Sequence, residues 1–251
     1  VTGTGLSGAN IELLLDGTVA KTGGDVARTI AQAEWLNMFT DNMHLPRVLQ
    51  VGSVGYRMER LTPVPADYRV PLTGVLSILR EGIWPQRPGP MVKWHREATE
   101  RKVLDIYAAV EAPADVIGKT LDRFDSWHEV ELGTAHGDPT FENVMIRHYL
   151  DGREFDLVLI DPIPPTPAVP DVVGVDAGKL IQSALGWERA KGEQSSAWDL
   201  EDVQANLTPS EYLSGTDWVI IHLARTLPYA TKHRPELREW VFDAIRQAVD
   251  L

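Results

Sequence analysis

The 251-residue chain contains no cysteine. Disulfides and thiolate-bound zinc are thereby excluded, and a reducing compartment, the cytoplasm first of all, is the natural expectation. No apolar run approaches the ~18 residues that a bilayer span needs. Candidates such as "WVIIHLA" are short and interrupted, so no membrane partner is expected. The first residues, "VTGTGLSG", lack the charged-then-apolar shape of a signal peptide. Positive charge is in deficit: 24 Lys and Arg stand against 36 Asp and Glu, a formal net charge of −12. So acidic a surface repels phosphate backbones, which argues against nucleic-acid partners, and attracts cations. Several catalytic signatures are missing too. There is no G-x-S-x-G elbow, no H-E-x-x-H helix and no Walker A loop, and the seven histidines are scattered without metal-ligand spacing.

What is present is an ordinary globular composition, 43% hydrophobic and 24% charged, long enough for a large core or two lobes. Residues 1–62 read as β-β-α-β-β. "NIELLLDGTVAK" places two β-compatible runs around Asp16-Gly17, a hairpin signal. "DVARTIAQAEWLNMF" follows at helical period with Asp25 as N-cap, and "RVLQVGSV" and "YRMERL" read as a second strand pair. The Pro-rich "LTPVPADYRVP" marks a boundary. Beyond it helices dominate: "PLTGVLSILREG", "REATERKVLDIYAAVE", "ADVIGKTLDRFDSWHEV", "DAGKLIQSALGW", "TDWVIIHLARTLPYA" and "PELREWVFDAIRQAV". Two β runs, "NVMIRHYL" and "EFDLVLID", interrupt them around Asp151-Gly152, and "IPPTPAVPDVVG" has too many prolines for regular structure.

Three constellations carry chemistry. "GTGLSG" fits G-x-G-x-x-G at Gly3, Gly5 and Gly8. A dinucleotide fingerprint needs a strand before it and a helix after, so a glycine-rich β-turn fits better. "VAK" then sets Lys21 on a strand, and Glu34 lies on the helix that follows. Either residue alone reads as a surface charge, but a strand Lys paired with a helix Glu can position nucleotide phosphates. The third is "HGDPTFEN", in which His136, Asp138 and Asn143 fit H-x-D-x-x-x-x-N, followed by a strand that ends on Asp161. Phosphoryl transfer asks for positioning more than covalent chemistry. One carboxylate must meet the acceptor hydroxyl, while an amide and a second carboxylate offer Mg²⁺ hard oxygen ligands.

In this order the motifs resemble the aminoglycoside phosphotransferase and choline kinase-like superfamily. "HGDPTFENVM", "IDP" and "VDAGKLIQSALG" look most like its sugar- or capsule-associated branch. The resemblance implies an α+β, two-lobed protein-kinase-like fold. It would have a small antiparallel-sheet N-lobe with one helix over residues 1–62 and a larger, mainly helical C-lobe over 63–251. It implies transfer of the γ-phosphoryl group of ATP, or GTP, to a hydroxyl of a small molecule such as a sugar, aminoglycoside or amino alcohol. Carried over residue by residue, Asp138 is the catalytic carboxylate and His136 its loop companion, expected to pack and hydrogen-bond. Asn143 and Asp161 bind Mg²⁺, Lys21 binds phosphates and Glu34 orients Lys21. Gly5 and Gly8 approach the nucleotide, and the backbones of Glu59 and Leu61 meet the base. Asp176 is a candidate for the acceptor side, or for holding the catalytic loop. The carboxylates from Asp171 to Glu211 suggest an acidic acceptor site.

The sequence departs from the pattern at three points. Asp161-Pro162-Ile163 replaces D-F-G, with no A-P-E after it. Gly137 replaces the Arg that would read a phosphorylated activation loop. Both favour a small-molecule kinase over a regulated protein kinase. The strand normally found before the glycine loop is also expected to be missing. The rival readings are a kinase of protein or RNA and an inert nucleotide-binding scaffold.

Overall fold

Asp16 and Gly17 reverse the chain as their chemistry requires. Gly17 sits at φ +79°, where a side chain is disfavoured, and Asp16 accepts hydrogen bonds from the backbone and hydroxyl of Thr18. The flanking residues form β2 (Ala9–Leu13) and β3 (Val19–Gly23) in antiparallel register. The computed structural model describes residues 2–4, 9–65, 67–86, 94–125, 127, 133–149, 154–192 and 198–251. Gly5, Gly8 and the Asp151-Gly152 turn lie outside these.

By its internal packing the chain divides into two units. The first comprises Val1–Pro65 and Asn143–Pro164. Its five-stranded antiparallel sheet has the order β1-β2-β3-β5-β4, with β1 at Thr2–Thr4, β4 at Val48–Val51 and β5 at Gly55–Met58. β1 corrects one expectation: a strand does precede the glycine loop, and Gly3 belongs to it, opposite Ile11. Helix α1 (Val26–Asn37) starts where Asp25 caps the N–H of Arg28. It buries Thr29, Gln32, Ala33, Trp35 and Leu36. A three-stranded sheet completes the unit: β6 (Thr62–Pro63), β7 (Val144–His148) and β8 (Phe155–Leu159). β6 was hidden within the Pro-rich stretch. The ring of His44 donates to the carbonyl of Leu157, and the His44 carbonyl accepts from Leu159 N, tying the β8 strand to the 37–48 connection.

The second unit, Ala66–Glu142 with Pro165–Leu251, is helical. Helix α2 (Leu72–Ser77) runs on as a π-helical turn over Ile78–Ile83. Then come α3 (Arg96–Ala109), α4 (Ala114–Asp125), α5 (Val173–Ala184), the short α6 (Trp187–Ala190) and α7 (Leu200–Asn206), α8 (Pro209–His233) and α9 (Pro235–Val249). Every residue of α5 is buried, so it is the core helix. α8 begins seven residues earlier than its apolar pattern suggests, because Thr208 and Glu211 form a reciprocal capping box. Between Pro162 and Val172 the chain forms no helix or strand, as its proline density demands, and Thr166 and Val169 make an isolated bridge. Among the described residues no helix is long and apolar enough to cross a membrane.

α5 and α8 touch backbone to backbone. A Cβ built on Gly178 would lie 2.8 Å from Trp218 Cβ and 2.8 Å from Val219 N, closer than real Cβ contacts come. Gly178→Ala should therefore lower stability by about 1–3 kcal/mol through overpacking, although Ala is the better helix former. Equilibrium urea unfolding measures this, and an unchanged or raised midpoint would refute the close approach.

Candidate active site

The first unit carries the residues expected at the nucleotide. Lys21, in the middle of β3, is 2% exposed. Its Nζ lies 2.7 Å from Asp161 Oδ1, an ion pair between residues 140 apart in sequence. Asp161 follows β8 with φ +58°, a left-handed conformation that costs a non-glycine residue about 1–2 kcal/mol. Strain of this kind persists where neighbours hold it. Here the holders are Lys21 on the side chain and Gln32, whose Nε2 donates to the carbonyl of Pro162 at 2.8 Å. Asn143 is buried at the end of the 3₁₀ turn Phe141–Asn143, and its carbonyl accepts from Ile160 N at 2.9 Å. One hydrogen bond thus sets Asn143 beside the residue that precedes Asp161.

Glu34 is not brought to Lys21. It is exposed on α1, and among the described residues no ion pair joins the two. The inner face of the helix carries Gln32 instead. At about 100° per residue, positions two apart point nearly opposite ways. Helix phase, read from the buried Thr29, Ala33 and Leu36, is the signal that would have found Gln32. Tyr56, cross-strand neighbour of Lys21, was also missed. It is 3% exposed, and burial together with the charge of Asp161 raises its hydroxyl well above the usual tyrosine range. Glu59 spends its N–H on the carbonyl of Arg47, and its carboxylate accepts from Arg47 N and Arg147. Leu61 is buried.

The second unit carries the loop of His136 and Asp138. Asp176, on α5, is fully buried, and its oxygens accept from the N–H groups of His136 (2.9 Å) and Gly137 (2.7 Å) and from Trp84 Nε1 (2.9 Å). Burial pushes its carboxyl up to about 7 against the pull of these three donors, and the charge of Asp138 adds to the rise. Asp176 is therefore placed behind the loop and offers no surface to an acceptor. Gly137 has φ +83°, a backbone turn that explains a glycine before Asp138. His136 is fully buried and its Nδ1 accepts from the N–H of Asp138 at 3.3 Å, the part of a loop-shaping residue.

Asp138 keeps about a fifth of its side chain exposed, and its Oδ1 lies 3.0 Å from Lys179 Nζ. Burial raises its pKa, but the charge and hydrogen bond of Lys179 and the charges of His136 and Arg225 outweigh it. The carboxyl is left below its usual range. Two further ties hold the loop: Phe141 N donates to Ser183 Oγ at 3.4 Å, and Glu142 pairs with Lys191. Asp176, Lys179 and Ser183 stand at i, i+3 and i+7, one face of α5.

Several of the carboxylates read as an acidic acceptor site have partners within the fold. Glu211 pairs with Arg80, Asp202 with Arg69, Asp199 caps α7, and Glu188 is buried and accepts from Ser183 Oγ. They serve the fold. Glu193 lies outside the described residues.

No protein-family model matches the chain, and no curated protein matches it. Solved structures do. A choline/ethanolamine kinase family protein from Mesorhizobium loti is 14% identical at a TM-score of 0.61, over 100% of this chain and 88% of that one. The GDP and kanamycin complex of APH(2")-IIia matches at 13% identity and a TM-score of 0.61, over 96% and 89%. A macrolide 2'-phosphotransferase from Brachybacterium faecium matches at 13% and 0.54, over 97% and 90%. The fold is thus the α+β, protein-kinase-like one, with its antiparallel-sheet lobe and its mainly helical lobe.

Asp176→Ala would orphan three buried donors, each costing about 1–3 kcal/mol. The variant should lose about 3 kcal/mol or more of stability, and the amides of His136 and Gly137 should lose hydrogen-exchange protection. Intact protection at both amides would show that Asp176 does not hold the loop.

Proposed function

We propose that the chain is a small-molecule kinase that moves the γ-phosphoryl group of ATP, or GTP, to an alcohol hydroxyl. The observation that carries this reading is the Lys21–Asp161 pair. It joins the strand lysine to the aspartate that ends β8, in a chain whose H-x-D-x-x-x-x-N loop is held by α5. The sugar, aminoglycoside or amino-alcohol acceptor remains part of the proposal. Similar structures named for choline/ethanolamine kinase and for a complex with GDP and kanamycin support that range and leave both nucleotides open. A cytoplasmic location would supply the nucleotide.

The roles follow from the chemistry. Lys21 meets nucleotide phosphates once they compete with Asp161 for its ammonium. Gln32 keeps the Asp161-Pro162 backbone in place. Glu59, its N–H already used, meets the base through its carbonyl, with Leu61 beside it, and Gly5 and Gly8 belong to the phosphate-side loop. Asp138 orients the acceptor hydroxyl and receives its proton as the new P–O bond forms and the β,γ-bridging P–O bond breaks. His136 shapes the loop. This assigns residues 1–62 to the nucleotide and 63–251 to catalysis and the acceptor, with metal ligands from the 143–161 segment.

Asn143 and Asp161 fit Mg²⁺. Among the described residues no group of three His, Asp or Glu could hold a metal by itself. One amide and one half-exposed carboxylate, fixed by the Ile160–Asn143 bond, suit an ion that takes its other ligands from phosphates and water. When bound, the ion neutralises charge on the phosphates.

ADP release across a panel of hydroxylated small molecules tests the reaction. Asp138→Asn should cut turnover by ~10²–10⁴ while Mg-ATP affinity, read by titration calorimetry, stays near wild type. Asp161→Ala should lose the Mg²⁺ dependence of nucleotide binding. Wild-type turnover in the first variant removes Asp138 from its role, and unchanged Mg-ATP binding in the second removes Asp161.

A further inference from the structure

We propose that Lys179 is a positioning residue for the transfer, fixing the orientation of the Asp138 carboxylate from α5; this rests on the phosphotransferase reading above. The segment 134–143 carries no lysine or arginine of its own. A carboxylate that must approach a phosphoryl group repels it, and at a few ångströms in a partly desolvated site the repulsion is large. A cation beside the carboxylate offsets it. Lys179 is placed to do so, with Nζ 3.0 Å from Asp138 Oδ1.

The support beneath Lys179 is rigid. α5 is buried along its whole length and packs against α8 through Gly178, the residue before Lys179. The Lys179 side chain is 11% exposed, so its stem is held while its ammonium meets Asp138, which keeps about a fifth of its side chain exposed. The neighbours on the same helix face already hold the loop backbone, Asp176 at residues 136 and 137 and Ser183 at Phe141. Loop anchoring therefore needs no further residue at position 179. Stability is a weak reason for the pair, because a buried ion pair gains little over apolar packing. His222, bonded to the carbonyl of Val175, is held neutral by burial and by the charges of Lys179 and Arg225. What distinguishes Lys179 is the atom it touches.

The test compares Lys179→Met and Lys179→Arg, alone and combined with Asp138→Asn. Single-turnover release of ADP from Mg-ATP is measured with water as acceptor, and Mg-ATP affinity by calorimetry. Lys179→Gln replaces the Met variant if that one does not fold. Lys179→Met should slow ADP release by about 10–100-fold with Mg-ATP affinity nearly unchanged, and Lys179→Arg should recover most of the loss. Because Lys179 acts through Asp138, adding Lys179→Met to Asp138→Asn should cost nothing further. Wild-type rates in Lys179→Met, an equal loss in the Arg variant, or multiplicative losses in the double variant would each overturn the proposal alone. ADP release that is absent in the wild type, or indifferent to Asp138→Asn, would overturn the phosphotransferase reading and this proposal with it.

Discussion

A buried carboxylate with three donors is what the loop of His136 and Asp138 is built around. Asp176 has no exposed surface, and burying an isolated charge is expensive unless it is hydrogen-bonded. Two of its donors are consecutive backbone amides, His136 and Gly137, and the third is the indole of Trp84. Two adjacent N–H groups can converge on one carboxylate only if the chain bends there, and Gly137 at φ +83° supplies the bend. The bend delivers Asp138 to the side of the loop that keeps some exposure. The glycine before Asp138, a departure from the protein-kinase pattern, is then a geometric requirement of this loop.

Each unit sets a lysine against an aspartate of the proposed site, but the two pairs differ in freedom. Asp161 is more exposed than Asp138, and it stands in a strained backbone conformation held from both sides. Its bond to Lys21 has to loosen if nucleotide phosphates are to take the ammonium and a metal is to take the carboxylate. With Gln32 on the inner face of α1, no helix carboxylate competes for Lys21 among the described residues. A neutral amide there holds backbone and leaves the lysine's charge for other partners.

Much of this was legible in the sequence, for local reasons. The Asp16-Gly17 turn, the Asp25 cap and Pro235 at the start of α9 are short-range rules with few competitors, and the spacing of His136, Asp138 and Asn143 reflects a single loop. What was missed depends on phase or on tertiary context. Glu34 was two residues out of phase with the buried face of α1. β6 lies in a Pro-rich stretch and exists because β7 pairs with it. α8 starts at Pro209, seven residues before its apolar pattern, because Thr208 and Glu211 cap each other there. The carboxylates after residue 170 suggested an acidic surface, yet capping and ion pairing, invisible in composition, claim most of them.

Asp138 and Asp176 are driven in opposite directions beside the same helix. Both are desolvated, which raises a carboxyl pKa. Asp138 faces Lys179, whose charge and hydrogen bond, together with the charges of His136 and Arg225, outweigh the rise. Asp176 faces only neutral donors and the negative charge of Asp138, so burial wins and its carboxyl is pushed up to about 7. Where environments separate two acids in this way, the one kept charged is the one that the proposed transfer would use to orient a hydroxyl and take its proton. Lys179 stands one helical turn from Asp176 on α5, so the helix that makes Asp176 structural is also the helix that keeps Asp138 ionised. The division of roles between the two aspartates is therefore a property of α5, and it would follow that helix's packing on α8 if the packing were changed.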